Sequence, residues 1–253
     1  MQDGCWLSKQ RSAGLAVMLA VLAFAGLQGC GSRTTPPAAT RAEADTLANG
    51  LPRVALPVLA EWSARWRESV PTFAPESLVS EESGLTAMQP SGTGTDLRHV
   101  ADVRERAGIV TLSPDSTHAL DFDRYVDIDP ESGSLERDVD SSPMLWDYAG
   151  DTLWTVAFCG TSCAYDGGAW LDANRFVLTG TTQSGPNYDG PAQPFLDLYD
   201  LAGRTTRRWL GAPVTEDALR RFGQACEASL SARVARSLAN ADSPRTSTRR
   251  AAH

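Results

Sequence analysis

The chain has 253 residues, 42% hydrophobic and 21% charged, with 21 Gly, 15 Pro and 5 Cys. That balance excludes a collagen-like repeat, a disulfide-dense miniprotein and a disordered polyampholyte, and the length fits one globular domain, two at most. The formal charge is −8 and Lys9 is the only lysine, so the basic stripe that non-specific nucleic-acid binding requires is missing and no nucleic-acid partner is expected.

Residues 1–14 are polar and carry Lys9 and Arg11, and Leu15 to Leu27 (LAVMLAVLAFAGL) follow without a charge. A helix rises about 1.5 Å per residue and a hydrocarbon core is roughly 30 Å thick, so this run is too short to span and reads as the apolar region of a secretory signal. It ends in Leu27-Gln28-Gly29-Cys30, which resembles the lipobox of bacterial lipoprotein precursors. The resemblance implies that residues 1–29 are a signal peptide and that Cys30 is the first mature residue. It implies further that Cys30 carries a diacylglyceryl thioether and an acylated amine, so that the chain's first partner is membrane lipid. Several acyl chains, at about 0.8 kcal/mol per buried CH₂, anchor a protein stably. Gly31 stands where an aspartate would retain such a protein at the inner membrane, which by the same resemblance points to an outer-membrane location facing the periplasm. The alternatives are a signal peptide without lipid, or a buried apolar helix with a chance cysteine.

The stretch 30–50, with GSRTTPPAATRA after Cys30, is poor in large apolar groups and reads as a flexible tether. Residues 51–238 have globular composition. Leu59, Trp62, Trp66 and Val70 recur at spacings of three and four, which predicts a short helix with its tryptophans in the core, stopped by Pro71. Residues 80–96 read as loop with a strand near Leu85 to Met88. An echo at a constant offset of 70 then links Tyr125–Arg137 with Phe195–Arg207, matching Asp127 to Asp197, Gly133 to Gly203 and Arg137 to Arg207. Each copy predicts a hairpin whose glycine supplies a positive φ. Leu112 to Leu120 and Leu171 to Leu178 predict a further hairpin ahead of each.

Two four-strand meanders in succession resemble β-propeller blades, and Ser113-Pro114-Asp115 is similar to the SPDG turn of bacterial propeller repeats, with Ser116 in the glycine's place. A closed propeller needs about four blades or more, and the sequence offers two. The expected fold is therefore mainly β: open antiparallel sheets, a short N-terminal helix and a C-terminal amphipathic helix. That last helix starts at a Thr215 cap with Glu216 and Asp217 in its first turn, and Leu219, Phe222, Cys226, Leu230, Val234 and Leu238 form its apolar stripe. Residues 239–253 are polar and basic and read as a frayed tail.

Cys159 and Cys163, four residues apart in a chain with an export signal, are expected to pair locally. Cys226 is expected as a buried thiol, and its pairing with either of them stays open. The acidic run Asp121, Asp123, Asp127, Asp129, Glu131, Asp138 and Asp140 departs from a calcium loop at two places, having Ser132 for glycine and Asp138 for glutamate. Alternation makes it a solvated strand face instead. His118 is expected to face the core or sit half-exposed. No nucleophile elbow, P-loop or zinc-protease motif occurs in the chain, and no catalytic residue, metal or cofactor is assigned. In the polar insertion Thr181 to Pro194, Asn187, Tyr188 and Asp189 form a candidate binding loop for a glycan or a peptide. The expected role is a lipid-anchored envelope protein that binds or scaffolds an envelope protein or glycan. The alternative is an envelope hydrolase using the carboxylates or Cys163.

Overall fold

The structure is a computed structural model, and it describes residues 45–81, 84–85, 88–93, 101–129, 132–184 and 189–241. The lipobox-like segment with Cys30, the terminal stretch 242–253, and Asn187 and Tyr188 lie outside the described residues. Asp45 onward is held against the rest: Asn49 Nδ2 donates to Leu78 O at 2.9 Å and Trp209 Nε1 donates to Asn49 O at 3.0 Å.

The first helix, α1 (Ala60–Ser69), buries Trp62 and Trp66 as the spacing predicts and ends one residue before Val70. Two short strands follow, β1 (Val79–Ser80) and β2 (Gly84–Leu85), then β3 (Gln89–Thr93) and a short helix α2 (Ala101–Arg106). That helix has no counterpart in the sequence reading. The rest is β4 (Val110–Leu112), β5 (His118–Asp121), β6 (Val126–Ile128), β7 (Leu135–Arg137), β8 (Met144–Asp147), β9 (Thr152–Thr155), β10 (Cys163–Trp170), β11 (Arg175–Gln183), β12 (Ala192–Asp200), β13 (Thr205–Leu210) and the long helix α3 (Glu216–Ala241).

The strands form two open antiparallel sheets and a separate hairpin. The larger sheet runs β1-β13-β12-β11-β10, with β2 also on β13; the smaller runs β3-β9-β8-β5-β4; β6 and β7 pair only with each other. The second meander, β10 to β13, is the one the sequence predicts. The first has a different makeup, because β5 pairs with β8 and the β6-β7 hairpin stands outside the sheet. The two echoed hairpins also differ in register. Val126 faces Arg137, whereas Leu196 faces Trp209 rather than Arg207. Gly133 takes φ +70 as expected, but Gly203 does not have a positive φ, and Arg204 carries it (φ 53) in the second turn. Ser116 adopts φ 59 in the Ser-Pro-Asp turn, the conformation for which glycine is the low-cost residue.

The larger sheet is covered on both faces, so its central strands are apolar on alternate and opposite sides. Phe176, Leu178, Phe195 and Tyr199 belong to the core shared with Leu120 and Leu145 of the smaller sheet. Val177, Leu196 and Trp209 belong to a second core with Trp62, Trp66 and Phe73. Helix α3 serves both, with Phe222 and Cys226 in the second and Leu230 and Val234 in the first. Thr215 Oγ1 accepts from the Ala218 N–H at 3.2 Å, the expected cap.

The acidic run is not one solvated face. Arg104, on α2, donates from Nη2 to Asp121 Oδ2 at 2.7 Å and to the carbonyl of Asp123 at 2.8 Å, and from Nη1 to the carbonyl of Val126. Asp123 is buried and accepts from Arg137 Nη2 at 3.0 Å. The first two aspartates are thus interior groups neutralised by arginines that the strand pattern does not reveal, while Asp127 and Asp138 face water. Burial pushes the Asp121 carboxyl above its ordinary range, and the adjacent Arg104 charge pulls it back only in part.

Candidate functional site

The expected local disulfide is present: Cys159 and Cys163 are bonded, with Cα atoms 5.3 Å apart, within the usual span of about 4.4 to 6.8 Å. The loop that carries it is pinned at both ends. Cys159 exchanges two backbone hydrogen bonds with Ser141, at 2.7 and 2.8 Å. Cys163 opens β10 opposite Thr182, and Ser162 O accepts from Gln183 N at 2.8 Å.

Beside this loop, over the β10–β13 strands, lies an open groove of about 520 Å³. Its floor is built from three strands. Asp197 on β12 faces Arg208 on β13, and the pair is bidentate: Nε donates to Oδ1 and Nη2 to Oδ2, both at 2.7 Å. The Arg208 guanidinium lies over the Phe195 ring, 4.5 Å from its centre. Tyr165 of β10 and Tyr199 of β12 are buried beside this pair. The rings are fixed from below, Tyr165 edge-on to Phe195 at 5.2 Å and Tyr199 stacked on Phe176 at 4.9 Å. Glu81, Thr182 and Thr206 also line the groove, with Phe158, 61% exposed, beside the disulfide.

Burial pushes Tyr165 well above the ordinary phenol range, with the Asp197 charge adding to it, so its hydroxyl stays protonated. Tyr199 is raised for the same first reason, then by Tyr165 and Asp197. Burial also raises Asp197, against the two hydrogen bonds from Arg208. On Arg208 burial works against the charge, but the bonds and charge of Asp197 outweigh it and hold the guanidinium above its ordinary value. The fork-to-fork geometry is that of an ionised pair. Asp197, Tyr165 and Tyr199 are buried, so of this network the part-exposed Arg208 guanidinium is what meets the groove.

The other sequence candidates fall elsewhere. Asp189 is exposed beside a separate groove of about 530 Å³ formed with Pro191, Pro213 and Glu216. His118 is half-exposed, with Nδ1 2.8 Å from Thr117 Oγ1 and its ring 6.0 Å from that of Trp170. Neither it nor Asp121 or Asp123 lines the disulfide groove. Cys226 is a buried free thiol, as expected, and burial pushes it up to about 12, with the Asp166 charge adding to the shift. The sulfur of Cys163 is consumed in the disulfide, so the oxidised protein has no thiol nucleophile there. Among the described residues no group of three or more His, Cys, Asp or Glu side chains is placed to hold a metal ion.

The Tyr165, Asp197, Tyr199 and Arg208 cluster escapes the sequence reading. Its residues lie up to 43 positions apart in the chain and meet only through strand register. The one available signal is Asp197, a charge inside the apolar run Phe195 to Tyr199. In comparisons with family models, with curated proteins and with solved structures, nothing matches the chain.

Proposed function

We propose that the protein is a lipid-anchored component of a bacterial cell envelope that acts by binding a ligand in the disulfide-bordered groove, not by catalysis. The observation that carries the anchor is the charge-free run Leu15 to Leu27 leading into Leu27-Gln28-Gly29-Cys30, which resembles the lipoprotein signal and makes membrane lipid at Cys30 the first partner. Cysteine pairing is consistent with export to an oxidising compartment, where a bond such as Cys159 to Cys163 persists. The outer membrane is the proposed location, since Gly31 follows Cys30.

The binding role rests on the form of the groove. The buried Asp197 and the packed rings hold the part-exposed Arg208 in place, and Phe158 and Glu81 stand exposed around it, so the surface is set before a ligand arrives, the kind of pre-organisation that favours binding. The envelope-hydrolase alternative relied on Cys163 or on the carboxylates of Asp121 and Asp123, which are committed to a disulfide and to Arg104 and Arg137.

Metabolic labelling with a fatty-acid analogue, followed by membrane fractionation, tests the anchor. The native chain is expected to label and to sediment with membranes, and Cys30→Ala to lose both. A Cys30→Ala protein that still labels and sediments removes the assignment.

A further inference from the structure

We propose that the cavity between α1, α3 and the β10–β11 strands is a binding site of its own, for a small zwitterion: an α-amino acid of the size of glycine or alanine. It goes beyond the groove reading, because the two sites share no residue. The ladder between β10 and β11 passes over Asp166: Tyr165 faces Gly180 and Gly167 faces Thr179. Asp166 is thus the extra residue of a bulge, a device by which a strand re-aims a side chain, and here it is aimed at the cavity under α1. Its Oδ1 accepts from Thr179 Oγ1 at 2.6 Å, while Oδ2 has only a long contact of 3.4 Å from Trp62 Nε1. The arginines whose charge reaches it are committed elsewhere, Arg65 to Glu61 and Arg137 to Asp123. Among the described residues Asp166 is therefore an enclosed carboxyl without an ion pair, and a cavity of about 90 Å³ lies beside it.

The helix side of the cavity has the opposite imbalance. Arg65 of α1 and Arg233 of α3 both line it, and both turn to one carboxylate, Glu61, at 2.6 and 3.8 Å. That carboxylate is 62% exposed and screened by water, and the Nε of each arginine is buried without a hydrogen-bond partner. The four formal charges sum to zero, yet they are divided: the unpaired carboxylate stands on the strands and the surplus guanidinium on the helices. A bare cation or a bare anion satisfies one side and is repelled by the other, and an apolar molecule leaves Asp166 unpaired. A zwitterion answers both. Its ammonium group donates to Asp166 Oδ2 and supplies the charge that holds that carboxyl ionised, and its carboxylate accepts from the arginines. Size sets the rest: at about 10–15 Å³ per water-sized sphere, the cavity of about 90 Å³ seats roughly six to nine heavy atoms. That admits glycine and alanine and excludes a long side chain. Gly167 and Gly168 of β10, with Leu59, Phe122 and Val177, wall the space with backbone and apolar groups that suit the small carbon part.

The test is calorimetric titration of the purified full chain, held in detergent at neutral pH, with glycine and with L-alanine. Acetate carries only the carboxylate, methylammonium only the cation, and acetamide is of similar size without either charge. At least one amino acid is expected to bind with a Kd of about 1 mM or tighter, and roughly 10-fold or more tightly than each of these three probes. Asp166→Asn keeps an acceptor for Thr179 but loses the charge, and Arg233→Gln removes a guanidinium at the part-exposed edge of the cavity. Each is expected to weaken the amino acid roughly 10-fold. The inference is overturned by an absence of heat with both amino acids, by acetate, methylammonium or acetamide binding as tightly, or by either variant keeping the native affinity. The comparison of probes on the native chain decides the matter even where a variant fails to fold. These results are independent of the anchor and of the groove: labelling at Cys30 without amino-acid binding removes this inference alone.

Discussion

Trp62 Nε1 and Thr179 Oγ1 donate to Asp166, at 3.4 and 2.6 Å, beside a small cavity of about 90 Å³ between α1 and the β10–β11 strands. The residue keeps partial exposure, but its carboxyl is enclosed, and that burial raises its pKa from 3.8 against the pull of Thr179, Arg65, Trp62 and Arg137. A carboxyl whose folded pKa exceeds its unfolded value contributes stability that is fully present below the unfolded value and is lost as pH rises through the folded one. The window therefore opens at about 3.8 and extends upward. Asp166→Asn keeps an acceptor for Thr179 and cannot ionise, so its stability relative to the native chain should rise as pH increases from 4 toward 7.5. Urea unfolding of both chains across that range measures the difference, and a constant difference contradicts the assignment. Asp166 also shows what a residue pattern conceals. Nothing in Ala164-Tyr-Asp-Gly-Gly168 announces a buried carboxyl, and only the packing of α1 over β10 encloses it. Asp127 and Asp197 make the same point from the echo: they occupy matching places in sequence, yet one faces water and the other is 1% exposed against Arg208.

Elements whose stabilising contacts are local were legible. The apolar stripe of α3 and its Thr215 cap follow from spacings within one helix, and the Cys159–Cys163 pair from a separation of four. Strand partnership is not local. The β6-β7 hairpin has the same strand-turn-strand pattern as β12-β13, but nothing in those residues states that β5 will pair instead with β8, more than twenty positions on. The disulfide is the element-scale feature with a direct stability consequence. Closing so short a loop restricts the unfolded chain by about 2 kcal/mol in the loop-entropy estimate. Cys159→Ser with Cys163→Ser should therefore lower the unfolding free energy by roughly that amount, and the paired backbone bonds of Cys159 with Ser141 should keep the loop in place. Thiol titration under denaturing conditions should reveal two further thiols in the native chain only after reduction. Their appearance without reductant excludes the bond.

At the scale of the whole molecule the question is whether two sheets and a helical layer unfold together. The larger sheet is the shared element: one face of β11 and β12 belongs to the core with the smaller sheet and the other to the core with α1. Helix α3 joins the same two regions lengthwise, Phe222 stacked on Trp66 at 3.8 Å and Leu230 packed into the inter-sheet core. Neither core is complete without elements that also build the other, so a local opening exposes apolar surface in both, which is the physical condition for all-or-none unfolding. Leu230→Ala removes a side chain that is 4% exposed and should cost about 2 to 5 kcal/mol. The decisive measurement is coincidence. Tryptophan fluorescence samples both layers, through Trp62, Trp66 and Trp209 in the α1 core and Trp146, Trp154 and Trp170 in or beside the smaller sheet, whereas far-ultraviolet circular dichroism averages over the backbone. If the layers are coupled as the packing requires, the two probes give one urea midpoint in the native chain and shift together in Leu230→Ala. A fluorescence transition that splits into two steps, or that separates from the dichroism, would mean that α3 docks on two independently stable layers.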